Sequence, residues 1–394
     1  MSTPKVLIAG AGIGGLTAAI ALRAKGIDVE VYEAAARLPA SGTGLGLASN
    51  ATKVLRALGI DPGCGQFGRA LERFEVRTAR GRLIRDLPVQ SIAAQLGHPM
   101  VSVHRGDLLR VLRDAAGDTP IRFQARIVDF DAGDRDFRGF RGVRATCADG
   151  SVAQADVLIG ADGIRSTIRS KIAGAAPATE CGYLFWVATV AFTHPRVTPG
   201  YAGHYWGKGQ RFGLIDIGGG RVYWWGSKNM PAAQARDWCG DKAEILAAFD
   251  GWAPEIAEVI EATPSDAILS VPAQDRPFLE HWGRGAVSLL GDAAHPMQTS
   301  LSQGASSSVE DGYVLAQALA HVPDPVAALR KYEDMRRERT RMLVRQSRRY
   351  SMLEQTPNPV VRTVRDLGVR CAPARVLARL NMAPMRFDLA WDAR

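Results

Sequence analysis

Gly10-Ala11-Gly12-Ile13-Gly14-Gly15 forms a Gly-x-Gly-x-x-Gly pattern directly after the apolar run Val6-Leu7-Ile8-Ala9. Residues of this kind bind rather than react. Gly10 permits a tight turn, Gly12 lets the backbone approach a pyrophosphate, and Gly15 permits close packing of a helix on a strand; the N-terminus of that helix adds unpaired N–H donors and a positive dipole end. Glu33, eighteen residues beyond Gly15, stands where a carboxylate accepts hydrogen bonds from an adenosine ribose. Strand, glycines, helix and acid together predict a dinucleotide site, which FAD and NAD share.

The choice between them comes from further along the chain. Gly160-Ala161-Asp162-Gly163-Ile164-Arg165-Ser166 and Gly291-Asp292-Ala293-Ala294-His295-Pro296-Met297, taken in order with the glycine motif, resemble the three fingerprints of the class A flavoprotein monooxygenases, the aromatic hydroxylase family that includes salicylate and urate hydroxylases. That resemblance implies bound FAD, with Asp292 on its ribityl chain or pyrophosphate; read from the residue alone, this aspartate could equally cap the next helix. It also implies that Gln303-Gly304-Ala305 opens a helix near the flavin, that Arg105 and, more loosely, Arg37 face FAD, and that Asp162-Gly163 serves flavin and nicotinamide binding together. A surface arginine at a helix start is the plain alternative for Arg105. With one glycine motif in the chain, NADPH or NADH is expected to bind only in passing. The chemistry the family performs is hydride transfer to FAD and delivery of one atom of dioxygen to substrate from a flavin C4a-hydroperoxide, the cofactor carrying the hard step while the protein orients substrate and excludes water.

Two stretches depart from the family pattern. Thr299 and Ser302 stand where the family usually has Pro and Gly, and Trp186-Val187-Ala188 replaces a common Trp-Arg-Gly, so a substrate-binding arginine is missing there. A more apolar pocket for a larger, less anionic ring follows, unless another segment supplies the charge. Tyr183, Trp186, His204, Tyr205, Trp206, Trp224 and Thr299 are candidates for its wall, although alternation along a strand lets only about half of such residues face one side. His295, inside a fingerprint, reads as structural rather than as a general base.

These residues need elements to hold them. Val6–Ala9, the Ala- and Leu-rich stretch to Lys25 and Val29-Glu30-Val31-Tyr32 read as strand, helix and parallel strand. Turn-punctuated alternation over Ala70–Leu87 and Val143–Ile159, the latter around Asp149-Gly150, predicts two hairpins. Gly106–Ala116, Gly304–Ala320 and Pro325 to about Gln355 carry helical spacing. Between Gly182 and Ser227 the chain is β-like, and five of its eight tryptophans lie between Trp186 and Trp238; such rings pack a core by default or line a pocket for a flat ligand. The expected architecture is α/β: a Rossmann-like FAD-binding lobe built from discontinuous segments (1–75, 98–180, 272–350), an inserted, mostly antiparallel β-sheet substrate lobe (76–97, 181–271), and C-terminal helices (351–394).

Composition narrows the remaining classes. The 394 residues are 46% apolar and 23% charged, near averages for globular chains, and no stretch approaches the ~18 uncharged residues of a membrane span. The N-terminus runs directly into a strand without a cleavable apolar segment, which implies a cytoplasmic protein. Cys64, Cys147, Cys181, Cys239 and Cys371 are scattered and odd in number, arguing against a disulfide framework or a zinc site. A net charge of +9 is spread widely without interleaved aromatics, so a small molecule rather than nucleic acid is the expected partner, with a monomer or homodimer as the acting form. The densest basic run, Arg336 to Arg349, reads as a solvated helix face, with docking of an anionic partner or membrane surface as its sharper alternative. The function expected is an FAD-dependent monooxygenase using NAD(P)H and dioxygen to hydroxylate or epoxidise a small aromatic or heteroaromatic substrate; the alternatives are a dehydrogenase or reductase on the same fold, or a flavin-binding redox sensor.

Overall fold

The computed structural model describes residues 3–39, 42–62, 68–133 and 142–391, so Cys64 lies outside the described residues. Val6, Leu7 and Ile8 are apolar on both sides of their strand and all are fully buried; a strand with no polar face belongs in the middle of a sheet covered on both faces. It does so as Lys5–Ala9, the centre of a five-stranded sheet ordered Val287–Leu289, Val157–Gly160, Lys5–Ala9, Asp28–Tyr32, Ile121–Arg122, with every pairing parallel. Each buried aliphatic side chain there contributes about 1.5–3 kcal/mol. The expected parallel neighbours are in register, Leu7 opposite Glu30 and Ile8 opposite Val31.

Helix Ile13–Arg23 links the first two strands and is buried from Ile13 to Leu22 because it is sandwiched between that sheet and helix Gln303–His321. A Cβ at Gly312 would lie 2.7 Å from the Ala18 nitrogen, so the two helix backbones meet at a glycine.

The hairpin expected over Ala70–Leu87 forms from Arg73–Thr78 and Leu83–Leu87. The second differs from expectation. Gly142–Cys147 and Val152–Ala155 pair about Asp149-Gly150, but Val157–Gly160 leaves them and joins the parallel sheet beside Lys5–Ala9. Its Val-Leu-Ile run has no polar face to give to solvent, and that decides where it goes.

The second large sheet has seven strands, ordered Leu269–Asp275, Thr179–Ala191, Arg221–Asn229, Gln210–Asp216, Tyr201–Trp206, Arg73–Thr78, Leu83–Leu87; only Tyr201–Trp206 with Arg73–Thr78 is a parallel pairing. One of its faces packs a core with helices Lys242–Ala248 and Pro254–Ala262 through Phe249, Ile256 and Ile260. The strands of this sheet come from two stretches of the chain, Arg73 to Leu87 and Thr179 to Asp275. Helices Arg105–Ala115, Gln303–His321 and Pro325–Glu354 match the helical spacing, and Pro359–Cys371 and Ala374–Met382 follow. No helix among the described residues is long and apolar enough to cross a membrane.

The basic run is not the solvated face expected of it. Arg336 is buried between Glu310 (2.7 Å) and Asp311 (2.6 Å), Arg339 pairs with Glu310, and Arg348 binds Asp275, leaving Arg345 and Arg349 exposed. Carboxylates presented by neighbouring elements, up to 73 residues away in sequence, draw these cations inward; a helical period cannot show them.

Candidate active site

At the end of the first strand the chain turns through Gly10, with φ +108° and its N–H bonded to the Tyr32 carbonyl at 2.7 Å. A Cβ at Gly15 would stand 2.0 Å from the Gly10 oxygen, whereas one at Gly12 would meet nothing within 4 Å. Gly15 is thus a packing glycine and Gly12 borders open space, as a loop that admits a ligand to its backbone must. Helix Ile13–Arg23 starts there with no side-chain cap, and Gly14 is buried in its first turn. Glu33 holds the loop from the next strand, accepting from Ala11 N at 2.7 Å and Ala35 N at 2.8 Å. Arg37 lies exposed in the turn beyond it.

The two aspartates differ. Asp162 Oδ2 accepts from Thr167 N (2.8 Å) and Ile168 N (3.3 Å), tying the start of helix Thr167–Ala173, while its Oδ1 is buried with no hydrogen-bond partner among the described residues. Burial raises its pKa. It stands directly beside Gly10, whose Cβ would lie 3.2 Å from the Asp162 Cα, and Gly163 next to it would carry a Cβ into open space. Among the described residues Asp292 caps no helix. It is solvent-accessible although protein surrounds it closely enough for burial to raise its pKa, and Arg105 is near enough to pull that value back. A side chain both accessible and enclosed lines a deep cleft, and Arg105 faces it there, exposed at the first turn of Arg105–Ala115.

The loop after Asp292 completes this wall. Thr299 and Ser302 are both exposed, and Ser302 has φ +52°, a left-handed conformation that usually calls for glycine. Helix Gln303–His321 begins at Ser302 without a side-chain cap, with a Gly304 Cβ placed 3.8 Å from Asp292 Oδ1. The Gln303 side chain turns inward instead, fully buried, taking a 3.0 Å hydrogen bond from Asn50; only its backbone, with those of Gly304 and Ala305, can meet a ligand. His295 donates to Asp311 at 2.6 Å, and Asp311 also accepts from Gly291 N at 3.0 Å, which fixes the aspartate motif and agrees with a structural histidine.

Across the cleft stands the seven-stranded sheet, and the expected wall residues split between its faces. Trp186, Tyr205 and Trp224 point away: Trp186 packs on Trp238 and Phe249, Tyr205 donates to Glu255 (2.7 Å), and Trp224 stacks on Phe212 and donates to Thr263 (2.9 Å). These three belong to the core under the helices, a correction to their expected place. Tyr183, His204 and Trp206 occupy the other face with Phe185, Arg211 and Trp225, which sequence reasoning missed. The Arg211 guanidinium lies 5.7, 5.7 and 5.3 Å from the ring centres of Tyr183, Phe185 and Trp225. It pairs with buried Glu354 and donates to Ser300 Oγ at 2.9 Å. The arginine absent from Trp186-Val187-Ala188 therefore has a counterpart two strands away, already neutralised. Burial, reinforced by Arg211 and Arg365, lowers the His204 pKa well below the ordinary value, so this imidazole is uncharged at neutral pH; its Nε2 has no partner among the described residues.

Residues 3–347 match the FAD binding domain family. The chain is 36% identical over 385 residues to the aurachin C monooxygenase/isomerase of Stigmatella aurantiaca, covering 96% of this chain and 98% of that one. It is 32% identical to an FAD-dependent urate hydroxylase of Klebsiella pneumoniae, covering 88% and 89%. The crystal structure of Klebsiella pneumoniae HpxO complexed with FAD and uric acid superposes with a TM-score of 0.88 at 28% identity, covering 97% and 96%. The chain is a class A flavoprotein monooxygenase.

As a member of that family it binds FAD and uses NAD(P)H and dioxygen. The residues present fit the flavin: an open edge at Gly12, uncapped starts to two helices, a carboxylate at Glu33, and Asp292 facing Arg105. Among the described residues no cluster of His, Cys, Asp or Glu could hold a metal ion, and Cys147, Cys181, Cys239 and Cys371 are free thiols.

Proposed function

We propose that this monooxygenase hydroxylates or epoxidises an uncharged aromatic or heteroaromatic ring, held between the flavin and the face of the seven-stranded sheet that carries Tyr183, Phe185, His204, Trp206 and Trp225. The pairing of Arg211 with Glu354 inside that ring of aromatics carries the reading. Unpaired, a buried guanidinium would select a carboxylate; paired, it leaves a pocket without net charge. When bound, FAD supplies hydride acceptance from NADPH or NADH and transfer of one atom of dioxygen. The chain does the positioning. Gly12, Ile13 and Gly14 receive the pyrophosphate on a loop set by the turn at Gly10 and the close packing of Gly15, Glu33 the ribose, Asp292 and Arg105 the ribityl–pyrophosphate stretch, and the backbone of Gln303–Ala305 the ring system, with Asp162, Gly163 and Arg37 at the periphery. Exposed Thr299 offers a hydroxyl to the substrate, neutral, buried His204 backs the wall without adding charge, and the indoles exclude water. We place the enzyme in the cytoplasm, acting as a monomer or homodimer without nucleic acid, its cofactor lobe and sheet lobe divided as their strands divide.

Anaerobic addition of NADPH should bleach the flavin faster with neutral phenols, indoles or N-heterocycles than with their carboxylates, and isotopically labelled dioxygen should then appear in the product. Bleaching without label in product would instead establish a dehydrogenase or reductase.

A further inference from the structure

Exposed apolar surface is concentrated in one region: of the fourteen large apolar side chains exposed among the described residues, ten lie between Met342 and Leu380. Helix Pro359–Cys371 is built inside out. Arg365 is buried, its guanidinium 4.4 Å from the centre of the Trp206 ring and donating to the carbonyls of Leu353 (3.2 Å) and Glu354 (3.1 Å), with Asp366 beside it. Val360, Val364 and Leu367, spaced to share the opposite face, are 69, 64 and 53% exposed. Helix Ala374–Met382 buries Leu377, Ala378 and Met382 but leaves Val376 and Leu380, one turn apart, 47 and 53% exposed. Met352 adds 67% just before the first of these helices.

The polar residues around this ridge are of one sign. Arg370, Arg375, Arg379 and Arg386 are all exposed, and Asp366, already held by Arg365, is the one acid between Gln355 and Phe387. Apolar side chains in a stripe with arginines beside them are the composition of a helix that lies in a lipid interface: the stripe enters the acyl boundary and the guanidinium groups meet headgroup phosphates. A second copy of this chain fits poorly, because a two-fold contact sets the same patch against itself and would oppose arginine to arginine. With 13 residues the first helix is about 20 Å long, too short to cross the ~30 Å hydrocarbon core.

We propose that helices Pro359–Cys371 and Ala374–Met382 form a docking face for an anionic lipid surface, holding the enzyme peripherally on a membrane. Through Arg365 and Trp206 that face is one helix thickness from the aromatic wall of the pocket, so an apolar substrate dissolved in the bilayer would have a short way in.

The test is co-sedimentation of the full-length, FAD-loaded protein with vesicles of phosphatidylcholine alone and of phosphatidylcholine mixed with phosphatidylglycerol. Binding is expected to the mixed vesicles, about tenfold or more stronger than to the neutral ones and weakened by salt. Val364→Asp with Leu367→Asp should abolish it, and the milder Val364→Ser with Leu367→Ser should weaken it, both with flavin absorbance retained. No sedimentation with mixed vesicles, or equal sedimentation with both kinds, overturns the proposal. So does a wild-type dimer, seen by light scattering, that the aspartate pair converts to monomer, for then the face joins two copies of the chain.

Discussion

Gly12 and Gly15 lie three positions apart and answer to different demands: the first borders open space, while the second would carry a Cβ 2.0 Å from the Gly10 oxygen. Gly12→Val should therefore fold with a near-normal melting temperature yet lose FAD; two lost charge-assisted hydrogen bonds, at about 1.5–3 kcal/mol each, correspond to roughly 100-fold or more in affinity. Gly15→Ala should damage the fold itself, which thermal melting of the two apoproteins would separate. Ser302 offers the opposite case. Its φ of +52° costs an L-residue about 1–2 kcal/mol, partly offset by the greater chain entropy of glycine, so Ser302→Gly should stabilise by up to about 1 kcal/mol and raise the melting temperature of the FAD-loaded protein. At Glu354, substitution by Gln leaves Arg211 charged without its partner. Flavin absorbance titrations should then show preference moving toward aromatic carboxylates by about tenfold or more. Part of this scale was legible in sequence: the glycine turn follows its strand and opens its helix, and Glu33 directly follows the next strand, as their spacing predicts. What strand alternation could not say was which set of aromatics faces the cleft. It divides Trp224 from Trp225 but names neither side; helices Lys242–Ala248 and Pro254–Ala262 close the Trp224 face, while the other face meets the end of Pro325–Glu354 and the helix after it.

Helices raise a different question, since what holds two of them together here is a buried charge cluster. Arg336 of Pro325–Glu354 meets Glu310 and Asp311 of Gln303–His321, and Asp311 in turn holds His295 and Gly291 of the aspartate motif. Arg336→Met removes the cation and strands two buried carboxylates, a loss of about 3–5 kcal/mol near neutral pH, read from chemical denaturation. Burial alone would raise the Asp311 pKa, but His295 and Arg336 hold it down at about 2 against an ordinary 3.8. With the folded value below the unfolded one, the unfolded chain takes up protons first as acid is added; the stabilisation is complete above the ordinary value and disappears as pH falls toward the depressed one. Acid titration should thus show wild type losing its advantage over Arg336→Met across that window. These two helices were readable from their period to within a residue or two. The burial of Arg336 was not, because the acids that claim it are 25 and 26 residues distant in the chain, and a basic run on a helix looks the same whether it faces water or a partner.

The molecule has two main cores that share no buried residue, one under the parallel sheet and one under the seven-stranded sheet. Helix Pro325–Glu354 reaches both. Its first turns sink Ala328, Leu329 and Tyr332 into the first core, and about 35 Å of helix later its end is bound to the second sheet: Ser351 to Tyr183 (3.0 Å), Glu354 to Arg211, and the following Gln355 to Ser227 (3.0 Å) and the Gly209 carbonyl (2.9 Å). The alternation of α/β and β-rich stretches made two lobes legible, but these bonds join residues 128 to 168 apart, beyond any local pattern. If this helix couples the lobes, they should melt as one unit, and two natural probes can tell. Flavin fluorescence reports release from the cleft, while six of the eight tryptophans, Trp186 to Trp252, report on the sheet lobe. In wild type the two signals should share one midpoint, the mark of a single cooperative transition. Glu354→Leu combined with Gln355→Ala cuts the far end of the helix from the sheet while leaving its near end packed, and should draw the midpoints apart. Coincident midpoints in that variant would mean that the cleft itself, rather than the helix, couples the two lobes.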